Sequence, residues 1–429
     1  MSDSATARVI EPVPPPPPAR RRAPGIWALV TGLLLLLLAA TALVAIEPLH
    51  RPLPAPTVTR TLPTSAIIPG TAPKLPWPNT GQAALWVEGL GSLGKSGKSK
   101  PVPIASVTKV MTAYVILTEH PLDPGEQGPK LTVSAQQAAA YPKEQARGES
   151  LVAVVAGAVF TERQALQAVL LPSANNMARI LAAWDAGSIE AFVAKMNDTA
   201  AALGMTDTHY TDPSGLDPAT VSTAVDQVIL ARKAMELPAF AEIVAQKKAT
   251  LPVAGTVKNY NELVGKDGVV GIKTGSTDEA GGCLAFAAVV KVGGRKITIV
   301  GAILGQPGAN TPVQLDRVFR ATRPLLRTAA AAIAVHPVVR AGDEVATVQG
   351  PFGASTTINA AKDVSVVGWP GLRVRLDVDI PAVPAELPAE TEHGQVRATV
   401  GEGSPVAAAL RTGVGLEAPS TWDRIRHHR

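Results

Sequence analysis

The uncharged apolar run from Ile26 to Ile46 constrains this chain more than any other feature of its sequence. It holds 21 consecutive residues without a charged side chain, which is long enough for a helix to cross the hydrocarbon core of a bilayer. Arg8 and Arg20–Arg22 precede the run, and one arginine, Arg51, lies close behind it. Because basic residues accumulate on the cytoplasmic side of a membrane helix, we expect a single-pass cell-membrane protein whose chain after Ile46 lies outside the cytoplasm.

A cleaved signal peptide is the alternative interpretation of this run. Signal peptides have shorter apolar regions, of about 7–15 residues, followed by a cleavage site of small residues. Ala40-Thr41-Ala42 could serve as such a site. The length of the run favours an uncleaved anchor.

The composition argues against several kinds of chemistry. Cys283 is the only cysteine, so no intrachain disulfide can form. The seven histidines are dispersed and no H-E-x-x-H motif occurs, so we expect no metal site and no cofactor. The formal net charge is +5, but the basic residues are scattered and no basic block alternates with aromatic residues, so we expect no nucleic-acid partner.

Proline-rich segments divide the chain. Prolines favour extended backbone and cannot build a core, so they mark a disordered cytoplasmic tail and a linker on either side of the anchor. We expect a disordered tail over residues 1–25, an anchor over 26–46, a linker over 47–80, one folded domain over 81–334, a β-rich domain over 337–418 and a basic tail over 419–429. That last tail is expected to be solvated, although Trp422 and its basic neighbours also suit contact with lipid headgroups.

The order of the predicted elements indicates an α+β fold. A strand comes first at Ala83–Val87, helical periodicity dominates residues 106–203, and strand patterns return at 268–275, 283–292 and 296–304. This order pairs N-terminal and C-terminal strands in one sheet beside a helical subdomain. The strict alternation of Arg373–Ile380 then predicts a half-buried strand in a small all-β domain.

One motif is interpreted as fortuitous. Gly89–Ser96 matches the G-x-x-x-x-G-K-S pattern of a phosphate-binding loop. Such a loop needs a helix that begins at the Lys-Ser pair, whereas Gly97, Pro101 and Pro103 follow here. We therefore expect the glycine- and lysine-rich segment 89–103 to be a flexible loop.

Ser106 and Lys109 form the strongest candidate for catalysis. A serine in the first turn of a helix and a lysine three residues later share one face, so a neutral amine could take the proton of the hydroxyl. The lysine must then be buried or lie near another cation, so that its pKa falls. Alone the pair is weak evidence, because Ser106 could be a helix N-cap and Ser92–Lys95 has the same spacing.

Two further motifs follow at the ends of predicted elements. Ser173-Ala174-Asn175 begins a helix and supplies a hydroxyl and an amide, although an N-cap is the simpler explanation for Ser173. Lys273-Thr274-Gly275 ends a strand. Lys273 and Gly275 share one face there, so the cation can face a cleft and the glycine leaves room for a ligand's backbone.

The three motifs in this order resemble those of the serine D-alanyl-D-alanine carboxypeptidases, the low-molecular-mass penicillin-binding proteins. Four further segments resemble the same family over residues 83–304, and the β-rich tail resembles its C-terminal domain. The segments are Phe192–Asn197, Leu203–His209 with Gly215-Leu216, Asn259–Asn261 and Gly271–Thr277.

The resemblance implies an α+β catalytic domain and a peptidase activity. It implies that Ser106 is the acylated nucleophile, Lys109 its general base and Ser173 a proton relay. The substrate-binding residues it implies are Asn175 for the substrate amide, Lys273 and Thr274 for the terminal carboxylate, Gly275, and Ser276, whose backbone amide joins that of Ser106 in an oxyanion hole. The implied substrate is the peptidoglycan pentapeptide, and the implied inhibitors are β-lactams.

Departures from the family pattern leave two alternatives. Ser276 and Asn176 stand where relatives often have a bulkier and an acidic residue, respectively, which keeps open a catalytically weak penicillin sensor or wall-binding protein. A β-lactamase is less favoured, because no Glu-x-x-x-Asn segment lies between Ser173 and Lys273 to place a deacylating water.

Overall fold

The computed structural model describes residues 12–15 and 25–427, so most of the predicted disordered tail and the last two residues lie outside the described residues. The helices are α1 Ile26–His50, α2 Lys109–Glu119, α3 Ala135–Ala146, α4 Glu162–Leu170, α5 Asn175–Ala186, α6 Ile189–Ala202, α7 Ala224–Met235, α8 Pro238–Val244, α9 Thr311–Ala332 and α10 Thr421–Arg426. Two short 3-10 helices cover Ala105–Thr108 and Pro351–Gly353.

The strands fall into an N-terminal and a C-terminal group. The first group is β1 Thr57–Arg60, β2 Ser65–Ile67, β3 Gln82–Val87, β4 Gly91–Ser96, β5 Val102–Pro103, β6 Lys130–Thr132, β7 Val159–Thr161, β8 Val221–Ser222, β9 Lys248–Leu251, β10 Gly255–Lys258, β11 Val269–Thr277, β12 Gly281–Val292 and β13 Arg295–Gln306. The second group is β14 Ala334–Val339, β15 Glu344–Gln349, β16 Ser355–Ala360, β17 Val364–Gly368, β18 Arg373–Asp379, β19 Glu392–Val400 and β20 Val406–Thr412.

A five-stranded antiparallel sheet forms the centre of the first domain. Its strand order is β11-β12-β13-β3-β4, so the N-terminal β3 pairs with the C-terminal β13. This pairing is the α+β arrangement expected from the order of the elements. A tight turn at Gly293-Gly294 joins β12 to β13, whose strand patterns were predicted at 283–292 and 296–304.

The sheet separates two apolar cores because successive side chains of a strand point to opposite faces. On β12, Cys283, Ala285 and Ala287 belong to the core shared with the helical subdomain. Leu284 and Phe286 belong to the core under α9. Both faces of the sheet are therefore covered, and the strand that carries the Lys273 motif lies at its edge.

The C-terminal domain contains a seven-stranded sheet in the order β1-β15-β16-β20-β19-β18-β2. Its outer strands come from the segment 47–80, which was expected to be an extended linker. β1 pairs with β15 and β2 pairs with β18. The expectation of an extended linker is wrong for these residues, because short Thr/Val- and Ser/Ala/Ile-containing stretches between the prolines supply the backbone donors that edge strands need.

Two other segments also differ from expectation. Part of the predicted flexible loop 89–103 is strand β4, which pairs with β3 as the edge of the central sheet. The basic tail contains α10, where Arg424 Nη1 donates to the carbonyl of Leu49 at 2.8 Å. Helix α1 includes Ile26–Val44, which has the length and composition of a membrane span or of a signal sequence.

We expect Glu162→Gln to stabilise the protein above neutral pH. Glu162 is buried at the start of α4, and neither carboxyl oxygen has a hydrogen-bond partner among the described residues. Burial, with a smaller contribution from Glu126, raises the pKa of this carboxyl from 4.5 to about 7. Stability therefore falls as the pH rises from about 4.5 to about 7, because the unfolded chain ionises first. Gln removes this pH dependence.

The measurement is the melting temperature at pH 5 and pH 8. At pH 8 Glu162→Gln should raise it by about 2–4 °C, and at pH 5 the two proteins should agree closely. Asp198→Asn, which changes an exposed carboxylate, is the matched control. Equal melting temperatures of wild type and Glu162→Gln at pH 8 would contradict the expectation.

Candidate active site

Ser106 and Lys109 meet where a 3-10 turn runs into α2. Ser106 lies within the turn Ala105–Thr108, and Lys109 begins the helix. No side chain caps either element, so Ser106 is not the N-cap considered from sequence. Ala105, just before the serine, has a positive φ of 46°. Such strained backbone in a non-glycine residue is typical of functional sites.

The amine of Lys109 makes three hydrogen bonds in a fully buried position. It lies 2.8 Å from Ser106 Oγ and 2.7 Å from Asn175 Oδ1. The third partner, at 2.8 Å, is the backbone carbonyl of Ser214. The lysine therefore joins two of the three sequence motifs directly.

The electrostatic surroundings favour a neutral Lys109. Burial, and next the charge of Lys273, hold the pKa of its amine well below the ordinary value of 10.5. Arg179 acts in the same direction, whereas Asp212 and Glu149 oppose it. A neutral amine in hydrogen-bond contact with a serine hydroxyl can accept its proton.

Ser173 and Asn175 lie at the start of α5. Asn175 is the first residue of the helix, and its N-cap is Ala174. Ser173 is buried and has a positive φ of 67°. The N-cap explanation for Ser173 is thus wrong, and the strained backbone is a second sign of a functional site.

The third motif lies on the edge strand β11, directly against the serine turn. A Cβ added to Gly275 would lie 2.9 Å from the backbone nitrogen of Ser106. Lys273 and Thr274 are buried. Burial lowers the pKa of Lys273 to about 7, and its Nζ donates to the carbonyl of Thr274 at 2.9 Å. Ser276 Oγ donates to Thr311 Oγ1 at 3.1 Å, at the first residue of α9.

Two acidic residues beside this cluster were not predicted from the sequence. Asp212 accepts hydrogen bonds from the backbone amides of Ser214, Gly215 and Leu216, and so shapes the loop whose carbonyl contacts Lys109. Glu149 accepts a hydrogen bond from Asn175 Nδ2 at 3.1 Å. Asp212 precedes the Gly215-Leu216 pair already noted, which is a usable signal, whereas nothing near Glu149 marks it.

No metal site accompanies the cluster. Across residues 12–15 and 25–427, no group of three or more His, Cys, Asp or Glu side chains is arranged to hold a metal ion. The expectation of no cofactor stays a prediction.

The sequence resembles known peptidases in the region that carries this cluster. The D-alanyl-D-alanine carboxypeptidase family, Peptidase S11, matches residues 93–304. The carboxypeptidase DacB2 of Mycobacterium tuberculosis is 37% identical over 204 residues, which are 46% of this chain and 65% of that protein. The D-alanyl-D-alanine carboxypeptidase of Streptomyces sp. strain K15 is 33% identical over 216 residues, which are 46% of this chain and 71% of that protein.

The chain belongs to the D-alanyl-D-alanine carboxypeptidase family. The fold agrees with that of penicillin-binding protein 5 from Haemophilus influenzae, at a TM-score of 0.55 and 22% identity over 80% of this chain and 98% of the other. The family consists of serine-type peptidases. The matched regions span about two thirds of the M. tuberculosis and Streptomyces relatives.

We expect Gly275→Ala to disable the site without unfolding the protein. The new methyl group would press on the backbone of Ile104, Ser106 and Val107 at about 2.9 Å, so β11 and the serine turn must separate. Because a displacement of about 1 Å can cost 10²-fold in rate, we expect a loss of that order in acylation by penicillin. The measurement is the acylation rate beside a melting curve.

Gly294→Ala is the control: no atom lies within 4 Å of a Cβ at that position, so the new methyl group adds only the local backbone strain of a positive φ of 78°, which the melting curve reports. Both glycines lie on or beside the same sheet, and Gly294 is in the β12–β13 turn. A Gly275→Ala protein that reacts at the wild-type rate would contradict the close approach of β11 to the serine turn.

Proposed function

We propose that this chain removes the terminal D-alanine from peptidoglycan stem peptides through a serine acyl-enzyme. The observation that carries the proposal is the buried Lys109 amine 2.8 Å from Ser106 Oγ. A lysine with a lowered pKa can act as a general base near neutral pH, whereas an ordinary exposed lysine cannot. Family membership supports the reaction class.

In the proposed first step, Ser106 Oγ attacks the carbonyl carbon between the two D-alanines while Lys109 takes the hydroxyl proton. The bond to the terminal D-alanine then breaks, and Ser173 relays a proton to the leaving amine. Backbone amides of Ser106 and Ser276 would hold the oxyanion. The contact of Gly275 with the Ser106 backbone supports this role, because it brings the two backbone segments together.

Water completes the proposed cycle by attacking the ester carbonyl of the acyl-enzyme. The serine is regenerated and the shortened peptide leaves. A β-lactam presents an equivalent amide carbonyl to Ser106. It would acylate the same oxygen as the C–N bond of the ring breaks. The leaving nitrogen would stay attached to the acyl group through the rest of the opened molecule.

Carboxylate recognition is assigned to the middle of β11, which runs on to Thr277, two residues beyond the expected end of the strand at Gly275. Lys273 and Thr274 supply a buried cation and a hydroxyl, and a fixed cation is what a carboxypeptidase needs for a free C-terminus. Asn175 would hold the substrate amide through Nδ2. These assignments agree with the roles expected from the sequence.

We also propose that α1 is a membrane anchor and that both folded domains lie on the extracytoplasmic side. The apolar span Ile26–Val44 and the arginines before it support this orientation. Peptidoglycan lies on that side of the membrane. The catalytic domain would then bind the peptidoglycan pentapeptide on the same side of the membrane.

The first test is covalent labelling by fluorescent penicillin. Wild type should be labelled, and Ser106→Ala should lose labelling because the attacking oxygen is gone. Ser92→Ala is the matched control, since Ser92–Lys95 has the same spacing on the edge strand β4. Labelling that persists in Ser106→Ala would exclude Ser106 as the nucleophile.

Release of D-alanine from a pentapeptide ending in D-Ala-D-Ala tests turnover separately. Wild type should release it, and Ser106→Ala should not. Labelling without release would favour the penicillin-sensing alternative over a carboxypeptidase.

The second test is the pH dependence of KM. Burial lowers the pKa of Lys273 to about 7, so its amine is charged below that pH and loses its charge above it. KM for the pentapeptide should therefore rise between pH 7 and 9, by up to about tenfold per pH unit. A peptide ending in a carboxamide lacks the anion and serves as the control. A KM that is flat over this range would contradict the assignment of Lys273.

A further inference from the structure

Glu149 lies behind the candidate active site, in the loop that follows α3. Its side chain is 1% exposed and its carboxylate accepts three sets of hydrogen bonds. Arg147 binds one oxygen at 2.6 Å, and Arg179 and Asn175 bind the other at 2.9 and 3.1 Å. Burial raises the pKa of Glu149, but these hydrogen bonds more than offset it, so the pKa lies below its ordinary value. The group is therefore a carboxylate.

The partners of Lys109 fix the direction of its lone pair. A neutral primary amine has two N–H donors and one lone pair. The Asn175 Oδ1 and Ser214 carbonyl oxygens can only accept, so they take both hydrogens. The lone pair is left for the third partner, the Ser106 hydroxyl, which is the one partner able to donate.

This arrangement depends on which way the Asn175 amide faces. Rotation of the amide by 180° would place Nδ2 against Lys109. The amide would then donate to the lone pair and compete with the serine hydroxyl. A carboxylate has no hydrogen to donate, so Glu149 accepts from Nδ2 and cannot bind Oδ1.

We propose that Glu149 is a positioning residue that holds the Asn175 amide with its oxygen towards Lys109 and its nitrogen towards the substrate. It acts through hydrogen-bond polarity: one Nδ2 hydrogen is bound to Glu149, and the other stays available for the substrate amide. The proposal rests on the proposed acylation of Ser106.

A purely electrostatic role would have the opposite effect on rate. The carboxylate of Glu149 raises the pKa of Lys109, as does Asp212, whereas Lys273 and Arg179 lower it. If charge alone mattered, removing Glu149 would leave more neutral Lys109 and speed acylation. Loss of the Asn175 amide orientation would instead slow acylation.

The test is the rate of acylation by penicillin of the full chain in detergent. Glu149→Met removes the acceptor and should slow acylation by about tenfold. Glu149→Gln should stay within about threefold of wild type, because its oxygen can still accept from Asn175 while the exposed Arg147 turns away from the new NH₂ group. Equal rates for the Met and Gln variants would overturn the proposal.

Glu144→Met is the matched control. Glu144 is the other carboxylate bound to Arg179, at 2.6 Å, whereas the Asn175 amide bonds to Lys109 and Glu149. Its replacement should change the rate by less than about twofold. A loss equal to that of Glu149→Met would show that the ion pairs of Arg179, and not the contact of Glu149 with Asn175, control the rate, and would overturn the proposal.

A protein that carries Asn175→Ala as well as Glu149→Met distinguishes loss of amide orientation from general damage to the site. With no amide to orient, Glu149→Met should have less than a twofold further effect, and a tenfold further effect would overturn the proposal. If Glu149→Met gives little folded protein, Glu149→Ala carries the same expectations. Failure of the proposed function is distinct, because wild type itself would then resist labelling.

Discussion

The buried Lys109 amine is the interaction on which the site depends. Its three partners come from the 3-10 turn, from α5 and from the loop after Thr211. Helix α5 and this loop are far from Lys109 in the sequence, so these groups meet only when the domain is packed. The same packing buries the amine, and that burial holds its pKa well below the ordinary value of 10.5. The packing of the domain therefore also determines how basic the Lys109 amine is.

The motifs and the α+β class could be predicted from sequence because each rests on short-range patterns. Ser106 and Lys109 are three residues apart, and alternation along β11 and β12 is visible in the residue types. Glu149 could not be found in this way. Its importance depends on a contact with Asn175 across 26 residues, and a lone glutamate in a polar loop has no distinguishing pattern.

The edge strands β1 and β2 were missed for a related reason. A prediction from neighbouring residues alone disfavours a strand near proline, and both strands lie among prolines. They form because β15 and β18 present free edges more than 280 residues later in the chain. Proline next to an edge strand costs little, since one side of that strand makes no ladder hydrogen bonds. Pairing across such a distance is a tertiary effect.

If α1 is the membrane anchor proposed above, the position of β1 limits how far the folded domains can lie from the membrane. A free linker over residues 47–80 would reach up to about 110 Å when extended. The structure instead leaves six residues, 51 to 56, between the end of α1 and the start of β1, and these span at most about 25 Å. With α1 as the proposed anchor, the β domain is confined close to the lipid surface. The catalytic serine could then reach only as far from the membrane as the two folded domains themselves extend.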